Sequence, residues 1–128
     1  MISENIYDAL IDSLSSSFSD ISKILKCLGN EKRFQILISL LKGPLSYGNI
    51  VKTLELKKTA VSNHLTKLLE VKLIERDNYG IYKISGDGLE FLKAINRAFY
   101  ESPTRILIHF EKLQRGKMSD SFLNRYSG

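Results

Sequence analysis

Residues that build catalytic and metal sites are scarce in this chain of 128 residues, which has one cysteine, two histidines and no tryptophan. Cys27 has no second cysteine to pair with, so we expect no internal disulfide and a reducing, cytoplasmic location. With so few nucleophiles and ligands and no Gly-rich phosphate loop, the sequence predicts neither an enzyme nor a bound metal or cofactor. No apolar run approaches the roughly 18 residues of a membrane span, so no membrane partner is expected.

Acids and bases are distributed unevenly along the sequence, which carries a net charge of +5. Residues 1–20 contain four acids and no lysine or arginine, whereas residues 21–43 contain five bases and one acid. Bases also outnumber acids in residues 44–85 and 103–128. This pattern suits either an ordinary solvated basic surface or a surface that attracts a polyanion.

Amphipathic patterns predict three helices in the first third of the chain. Residues 3–14 form the first, a serine cluster at residues 15–20 interrupts the pattern, and a second helix ends at Gly29. Asn30 is a candidate N-cap for a third helix, which ends at Gly43. The apolar residues that we expect this third helix to bury are Phe34, Leu37, Ile38 and Leu41.

The stretch from Leu45 to Leu69 has the pattern of two short helices joined by a tight turn. Ser46 is a candidate N-cap for the first of them. The second, at residues 57–70, has an apolar stripe that consists of Val61, Leu65, Leu68 and Leu69. Its other face holds cations, amides and hydroxyls but no acid, a set that suits phosphates and base edges: Lys57, Lys58, Thr59, Ser62, Asn63, Thr66 and Lys67.

Residues 73–85 change from helical to strand periodicity, with two β-prone runs around the turn-forming residues 77–80, which predicts a β-hairpin. Ser85 is a candidate cap for a further helix, and Pro103 marks the end of that helix. The predicted fold is therefore mainly α with a small β-hairpin. It is a winged helix-turn-helix with N- and C-terminal dimerisation helices over residues 1–102, followed by a C-terminal helix and tail over residues 103–128. The alternative for the apolar stripes of the two terminal helices is that they bury core within one chain alone.

Three stretches resemble the ArsR-type winged helix regulators of bacteria and archaea: LKCLGNEKRFQILISLLKGPLSYGNIVKTL, LKKTAVSNHLTKLLEVKLIERDNYGIYKIS and the helix start SGDGLEFL. The most specific element is VSNHL at residues 61–65, followed by apolar pairs at 68–69 and 73–74. The resemblance implies a symmetric dimer that binds operator DNA as a repressor or an activator. It also implies that Thr59, Ser62 and Asn63 read bases, and it places Arg76 to Gly80 at the wing.

Three departures from the family pattern restrict what the resemblance implies. The Cys-x-Cys run with which many members sense metal is absent from the first motif helix. The last helix has no histidine before His109 to join a zinc site. Lys57 and Lys72 stand at the two ends of the recognition helix, where the family usually has serine and glycine. We expect Lys72 either to adopt a left-handed conformation or to mark a different helix end.

Three further residues each allow two interpretations. His64 borders the apolar stripe, so we expect it to pack or to contact a phosphate, and not to bind metal. Cys27 is expected to be a buried, inert thiol, the alternative being a redox sensor. Tyr79, at the tip of the hairpin, is either an ordinary turn residue or a contact to the sugar-phosphate edge of DNA.

Two functions are compatible with these features. The first is a homodimeric transcription regulator that binds specific sequences in double-stranded DNA. The residues expected to contact DNA are Lys57, Lys58, Thr59, Ser62, Asn63, Thr66, Lys67, Arg76, Tyr79 and Lys83; those expected at the dimer interface are Ile6, Leu10, Leu14, Leu92, Ile95 and Phe99. The alternative is a winged-helix protein-interaction module that docks through its C-terminal segment. A pocket between the terminal helices and the motif could take a small-molecule effector, which the sequence does not specify.

Overall fold

The computed structural model describes the backbone of residues 5–126 and the side chains of residues 5–117. Residues up to Leu89 form one compact unit, and the residues from Glu90 onward form another. In chain order the elements are α1 (Asp8–Ser16), α2 (Phe18–Leu28), α3 (Glu31–Leu40), β1 (Leu45–Ser46), α4 (Tyr47–Leu54), α5 (Lys58–Glu70), β2 (Ile74–Arg76), β3 (Ile81–Ile84), α6 (Gly86–Glu101) and α7 (Pro103–Tyr126). This order confirms the predicted mainly helical fold with a small β-structure.

Helices α1 and α2 are separated by Ser17 alone, so the predicted interruption over residues 15–20 is too long. Ser16 is the last residue of α1, and its hydroxyl donates to the carbonyl of Asp12, one turn earlier, at 2.8 Å. Residues 3 and 4, where the first helix was predicted to begin, lie outside the described residues. Helix α1 has no buried residue, whereas α2 buries Cys27.

Helix α3 begins where the sequence predicted, but the side of the helix that faces the core is not the side that its apolar spacing predicted. Asn30 is its N-cap, and the Asn30 side chain accepts hydrogen bonds from the backbone N–H groups of Lys32 and Arg33. The helix buries Arg33, Ile36, Leu37 and Leu40, whereas Ile38 and Leu41 are exposed. The prediction that Phe34, Ile38 and Leu41 are buried with Leu37 is therefore wrong for Ile38 and Leu41, and Phe34 is only half-buried.

The predicted hairpin is present, and a short third strand extends it. Strands β2 and β3 pair antiparallel, with Ile74 opposite Ile84 and Arg76 opposite Tyr82. Strand β1 pairs with the other edge of β3, so the strand order is β1-β3-β2. This third strand connects the start of the helix-turn-helix motif to the wing through backbone hydrogen bonds.

The core of the first unit lies beneath the motif and the wing. Its fully buried side chains are Ile36, Leu37, Ile50, Val61, Leu65, Leu68 and Leu73. Ser85 caps helix α6 as predicted, because its hydroxyl accepts from the Gly88 N–H at 2.9 Å and donates to the Lys72 carbonyl at 2.7 Å. Gly88 packs against the Leu73 carbonyl so closely that a Cβ would collide with it. The wing and the start of α6 are thus held to the end of α5.

In the second unit, α6 ends at Glu101 and α7 begins at Pro103, so the predicted break at this proline is confirmed. The Arg105 guanidinium lies over the Phe99 ring, 4.9 Å from its centroid, across that break. Residues 103–128 were predicted to form a helix followed by a tail. Helix α7 instead continues to Tyr126, and residues 127 and 128 lie outside the described part of the chain. None of the helices within residues 5–126 is both long and apolar enough to cross a membrane.

Candidate nucleic-acid interface

Helix α5 separates its side chains into a buried stripe and an exposed polar face. Val61, Leu65 and Leu68 anchor the helix in the core. The seven polar residues that the sequence predicted to face outward are all exposed on the opposite half of the helix or at its start: Lys57, Lys58, Thr59, Ser62, Asn63, Thr66 and Lys67. The structure therefore brings these residues together on one surface, and the one acid of α5, the exposed Glu70, lies at the C-terminal end of the helix.

Tyr47, the first residue of α4, joins the two helices of the motif at this surface. Its phenolic O–H donates to the Lys58 carbonyl at 2.6 Å, and its oxygen lies 3.0 Å from the Ser62 hydroxyl. Because the single Tyr47 proton goes to a carbonyl that only accepts, Ser62 must donate its own proton to Tyr47. Sequence reasoning did not identify Tyr47, since a tyrosine at a helix start has no recognisable spacing to a serine two elements later.

The internal hydrogen bonds decide which groups of α5 remain available to a ligand. Ser62 donates to Tyr47, and Thr66 donates to the Ser62 carbonyl at 2.9 Å, so both hydroxyls are left as acceptors toward solvent. The Asn63 side chain, in contrast, has no hydrogen-bond partner among the described residues. Asn63 thus offers both an amide donor and an amide acceptor to solvent.

The two ends of α5 are unusual in the way the sequence predicted. Lys57 is the N-cap residue, with φ −64° and ψ 146°, and its side chain caps no backbone N–H. Lys72, two residues after the end of the helix, has φ 61° and confirms the predicted left-handed conformation. A side chain in this region normally costs about 1–2 kcal/mol, which explains why glycine is favoured there.

The wing carries three of the predicted DNA contacts in different environments. Tyr79 is 90% exposed at the tip of the hairpin, where the Asp77 carboxylate accepts from the N–H groups of Tyr79 and Ile81. Arg76 is exposed, and its guanidinium lies 5.7 Å from the centroid of the Tyr82 ring. Lys83 pairs with Glu75 across the hairpin at 3.3 Å, so its charge is partly compensated.

Arg33 of α3 contacts both His64, a half-buried residue of α5, and the backbone of Cys27 at the end of α2. An Arg33 N–H lies 3.3 Å from His64 Nδ1, and because arginine only donates, Nδ1 must accept and the imidazole is neutral. Burial, together with the Arg33 and Lys67 charges, lowers the pKa of His64. Burial raises the pKa of the Cys27 thiol, against the opposing effect of Arg33, so it is protonated at neutral pH. His64 is thus packed, in agreement with the first of its two interpretations.

The residues predicted for a dimer interface have different exposures. Ile6, Leu10 and Leu14 are exposed around α1. On α6, Ile95 and Phe99 are exposed, whereas Leu92 is buried within the single chain. In the part of the chain that the structure describes, no group of three or more His, Cys, Asp or Glu side chains is placed to hold a metal ion.

Comparison with known proteins identifies the family. Residues 30–76 match the family described as bacterial regulatory protein, arsR family. The solved structure of HlyU from Vibrio cholerae is 30% identical, with a TM-score of 0.55, and the match covers 66% of this chain and 95% of HlyU. The chain belongs to the ArsR family. This confirms the resemblance and the winged helix-turn-helix fold that the sequence predicted, and the proteins of this family are transcriptional regulators.

Two further matches extend the comparison, one to the HlyU sequence itself and one to a second solved structure. The transcriptional activator HlyU of Vibrio cholerae is 47% identical over 45 residues, an alignment that spans 35% of this chain and 42% of that protein. A protein from Mycobacterium bovis, Mb0332, described as a homodimeric winged helix-turn-helix DNA-binding domain, shares the fold with a TM-score of 0.57. It is 24% identical, and the match covers 80% of this chain and 92% of the Mb0332 domain.

Proposed function

We propose that this ArsR-family protein is a homodimeric transcription regulator that binds specific sequences in double-stranded DNA. The observation that carries the proposal is the exposed polar face of α5, whose one acid is its last residue, Glu70, and on which Asn63 has no hydrogen-bond partner among the described residues. A major groove admits one α-helix, and this helix presents amide, hydroxyl and ammonium groups along its outer side. Phosphates and base edges are the complementary groups.

Each polar group on α5 has a specific proposed role. Lys57, Lys58 and Lys67 contact phosphates, because none of them forms a salt bridge with a described acid. Asn63 reads an adenine, whose N6 and N7 match the donor and acceptor of an amide. Ser62 accepts from a base amino group such as cytosine N4, since its own proton is held by Tyr47.

Three other side chains complete the α5 and wing contacts. Thr59 supports Asn63 at the base edges, and Thr66 accepts from neighbouring donors through its remaining lone pairs. On the wing, Arg76 and Tyr79 contact the flanking backbone, and Lys83 does so by exchanging its Glu75 partner for a phosphate. Because this exchange replaces one ionic partner with another, Lys83 should contribute less to affinity than the unpaired lysines of α5.

The proposed dimer places two recognition helices on successive major grooves. Ile6, Leu10 and Leu14 near α1 and Ile95 and Phe99 of α6 form the seam, because exposed apolar side chains of this number suit an interface. Leu92, also predicted for the seam, is buried within the single chain and adds no exposed surface to it. The fold shared with a homodimeric domain supports this arrangement. Two-fold symmetry then predicts a near-palindromic site with half-sites about 34 Å apart. The cytoplasmic location expected from the sequence is consistent with this role.

The test is to measure affinity for a selected site and for random duplex at several salt concentrations. Asn63→Ala should lower discrimination between the two by about 1–3 kcal/mol, and Asn96→Ala, at an exposed asparagine of α6, should not change it. Lys58→Ala should weaken both duplexes alike and reduce the salt slope by about one unit. Equal loss on cognate and random DNA for Asn63→Ala would remove its base-reading role.

A second candidate function is protein interaction through the C-terminal segment. Helix α7 favours it, because the structure leaves Ile106, Leu107, Phe110 and Leu113 exposed. The absence of any retained random duplex at low salt, in an electrophoretic mobility assay, would support this function over DNA binding.

A further inference from the structure

Helices α2, α3 and α5 of the first unit enclose an open groove of about 590 Å³ beside the recognition helix. We call it the basic groove. Its lining includes one cysteine, Cys27, and five charged residues: Lys23, Lys26, Arg33, Lys67 and Glu70. Its volume is within the range of about 300–1,000 Å³ that small-molecule sites occupy. Glu70 is the one acid among these residues, against four cations.

Arg33 lies at the back of the basic groove and is only 8% exposed, yet it forms no salt bridge with a described acid. Its Nε–H donates to the Cys27 carbonyl at 2.8 Å and one Nη2–H to the Lys26 carbonyl at 3.4 Å, which caps the end of α2. With the Nη1 bond to His64, three of its N–H groups are used. The remaining two have no oxygen or nitrogen acceptor among the described residues, and the Cys27 thiol, which interacts with the guanidinium, is only a weak acceptor.

Glu70 can balance at most one of the four positive charges of the basic groove, and it forms no salt bridge within the described part of the chain. Cys27 is protonated at neutral pH because burial raises the pKa of its thiol. Lys23, Lys26 and Lys67 form no salt bridge within the described part of the chain. A buried cation with unused donors and several free lysines is a favourable environment for an anion, because oxyanions accept charge-assisted hydrogen bonds.

We propose that the basic groove binds a phosphate-type oxyanion, supplied either by a small molecule or by a backbone phosphate of DNA. Arg33 and the three lysines supply the donors, and the planar guanidinium suits a phosphate oxygen pair. Lys67 belongs both to the basic groove and to the proposed DNA-contacting face of α5. A small anion in the groove would therefore weaken DNA binding by occupying Lys67, a consequence that rests on the proposed function.

The binding test uses the full chain without DNA. Inorganic pyrophosphate is titrated at constant ionic strength, and backbone amide shifts are followed by NMR. We expect saturable shifts concentrated in α2, the start of α3 and the second half of α5. The double variant Lys23→Gln/Lys26→Gln should bind roughly five-fold more weakly, and Lys42→Gln/Lys52→Gln, at two exposed lysines outside the groove, should bind like the unchanged protein.

Two results would overturn the proposal. One is a response that does not saturate, and the other is an equal loss of affinity in both double variants, because each would indicate general screening of a basic protein. Circular dichroism of both variants checks that they are folded. Since no DNA is present, this experiment can succeed or fail independently of the proposed DNA-binding function.

A second measurement distinguishes the two sources of phosphate. If a small molecule supplies it, pyrophosphate should displace duplex DNA at matched ionic strength, and Lys23→Gln/Lys26→Gln should bind duplex normally but resist this displacement. If the DNA backbone supplies it, the double variant should weaken all duplexes and reduce the salt slope by about two units. Unchanged duplex binding by the variant, together with no displacement by pyrophosphate, would contradict both sources.

Discussion

The recognition helix α5 and the N-terminal helix α1 both have amphipathic sequences, but they differ in how much of their apolar side is buried. Helix α5 buries Val61, Leu65 and Leu68, so its apolar stripe is satisfied within the chain. Helix α1 buries no residue, and its apolar side chains remain exposed. Periodicity predicts a helix in both places but does not reveal what covers the apolar side. The apolar stripe of α5 is therefore covered within the chain, whereas the apolar side of α1 has no such cover among the described residues.

The largest expected effect tests this contrast in stability. Leu68 is fully buried, so Leu68→Ala should lower the free energy of unfolding by about 2–5 kcal/mol through lost burial and a cavity. Leu14→Ala, the matched change on α1, should cost under about 1 kcal/mol in dilute solution, where dimers dissociate. Urea unfolding followed by circular dichroism measures both. Similar losses for the two variants would show that α1 is as integral to the folded monomer as α5.

The next effect concerns self-association. Leu14 and Leu41 are both 48% exposed, but only Leu14 lies on a helix proposed for the dimer seam. Leu14→Asp should raise the dimer dissociation constant by about tenfold or more, because it places a charge in an apolar interface. Leu41→Asp should leave that constant unchanged. Sedimentation equilibrium over a range of concentrations measures it, and an unchanged dissociation constant for Leu14→Asp would exclude Leu14 from the interface.

The sequence predicted the elements of the fold better than the buried side of each helix. Helix α3 shows why: apolar spacing suggested Ile38 and Leu41, but Arg33 occupies a buried position by capping the carbonyls at the end of α2. A capping arginine gives no hydrophobic signal. Strand β1 was not predicted, for another reason. Its two residues, Leu45 and Ser46, are too few to show a strand periodicity, and their pairing partner β3 is distant in the sequence.

The exposed residues of α5 were easier to predict than their hydrogen bonds. A helix with one strong apolar stripe fixes which side chains face outward, so Asn63 and its neighbours lie where expected. The role of Tyr47 could not be predicted, because its contact to Ser62 depends on the crossing of α4 and α5. That contact determines whether Ser62 donates or accepts, and hence which bases suit it.

A smaller effect is expected at the end of α5. Lys72 is left-handed, so Lys72→Gly should raise the free energy of unfolding by about 0.5–1 kcal/mol by removing a strained side chain. The matched control is Lys52→Gly in α4, where the backbone is helical and the same change should lower that free energy by about 1 kcal/mol. Chemical denaturation distinguishes the two signs. A loss of stability in both variants would show that Lys72 makes stabilising contacts that exceed its strain.

The smallest effect is a pH dependence that arises behind the recognition helix. The pKa of His64 is lowered from 6.5 in the folded protein, mainly by burial and next by Arg33, so the unfolded chain binds a proton more readily. The contribution of His64 to stability is therefore complete above pH 6.5 and declines as the pH falls through that value. His64→Gln should flatten the profile of unfolding free energy between pH 7.5 and 5.5, relative to the unchanged protein.

The control for this pH effect is His109→Gln, which replaces the other histidine, an exposed residue of α7. It should keep the slope of the unchanged protein, since the His109 side chain is exposed. If His64→Gln also keeps the pH slope of the unchanged protein, protonation of His64 does not lower the free energy of unfolding. The Arg33 side chain must then turn away from the imidazolium. The same profiles thus test whether the contact between α3 and the recognition helix is rigid enough to exclude a proton from His64 Nδ1.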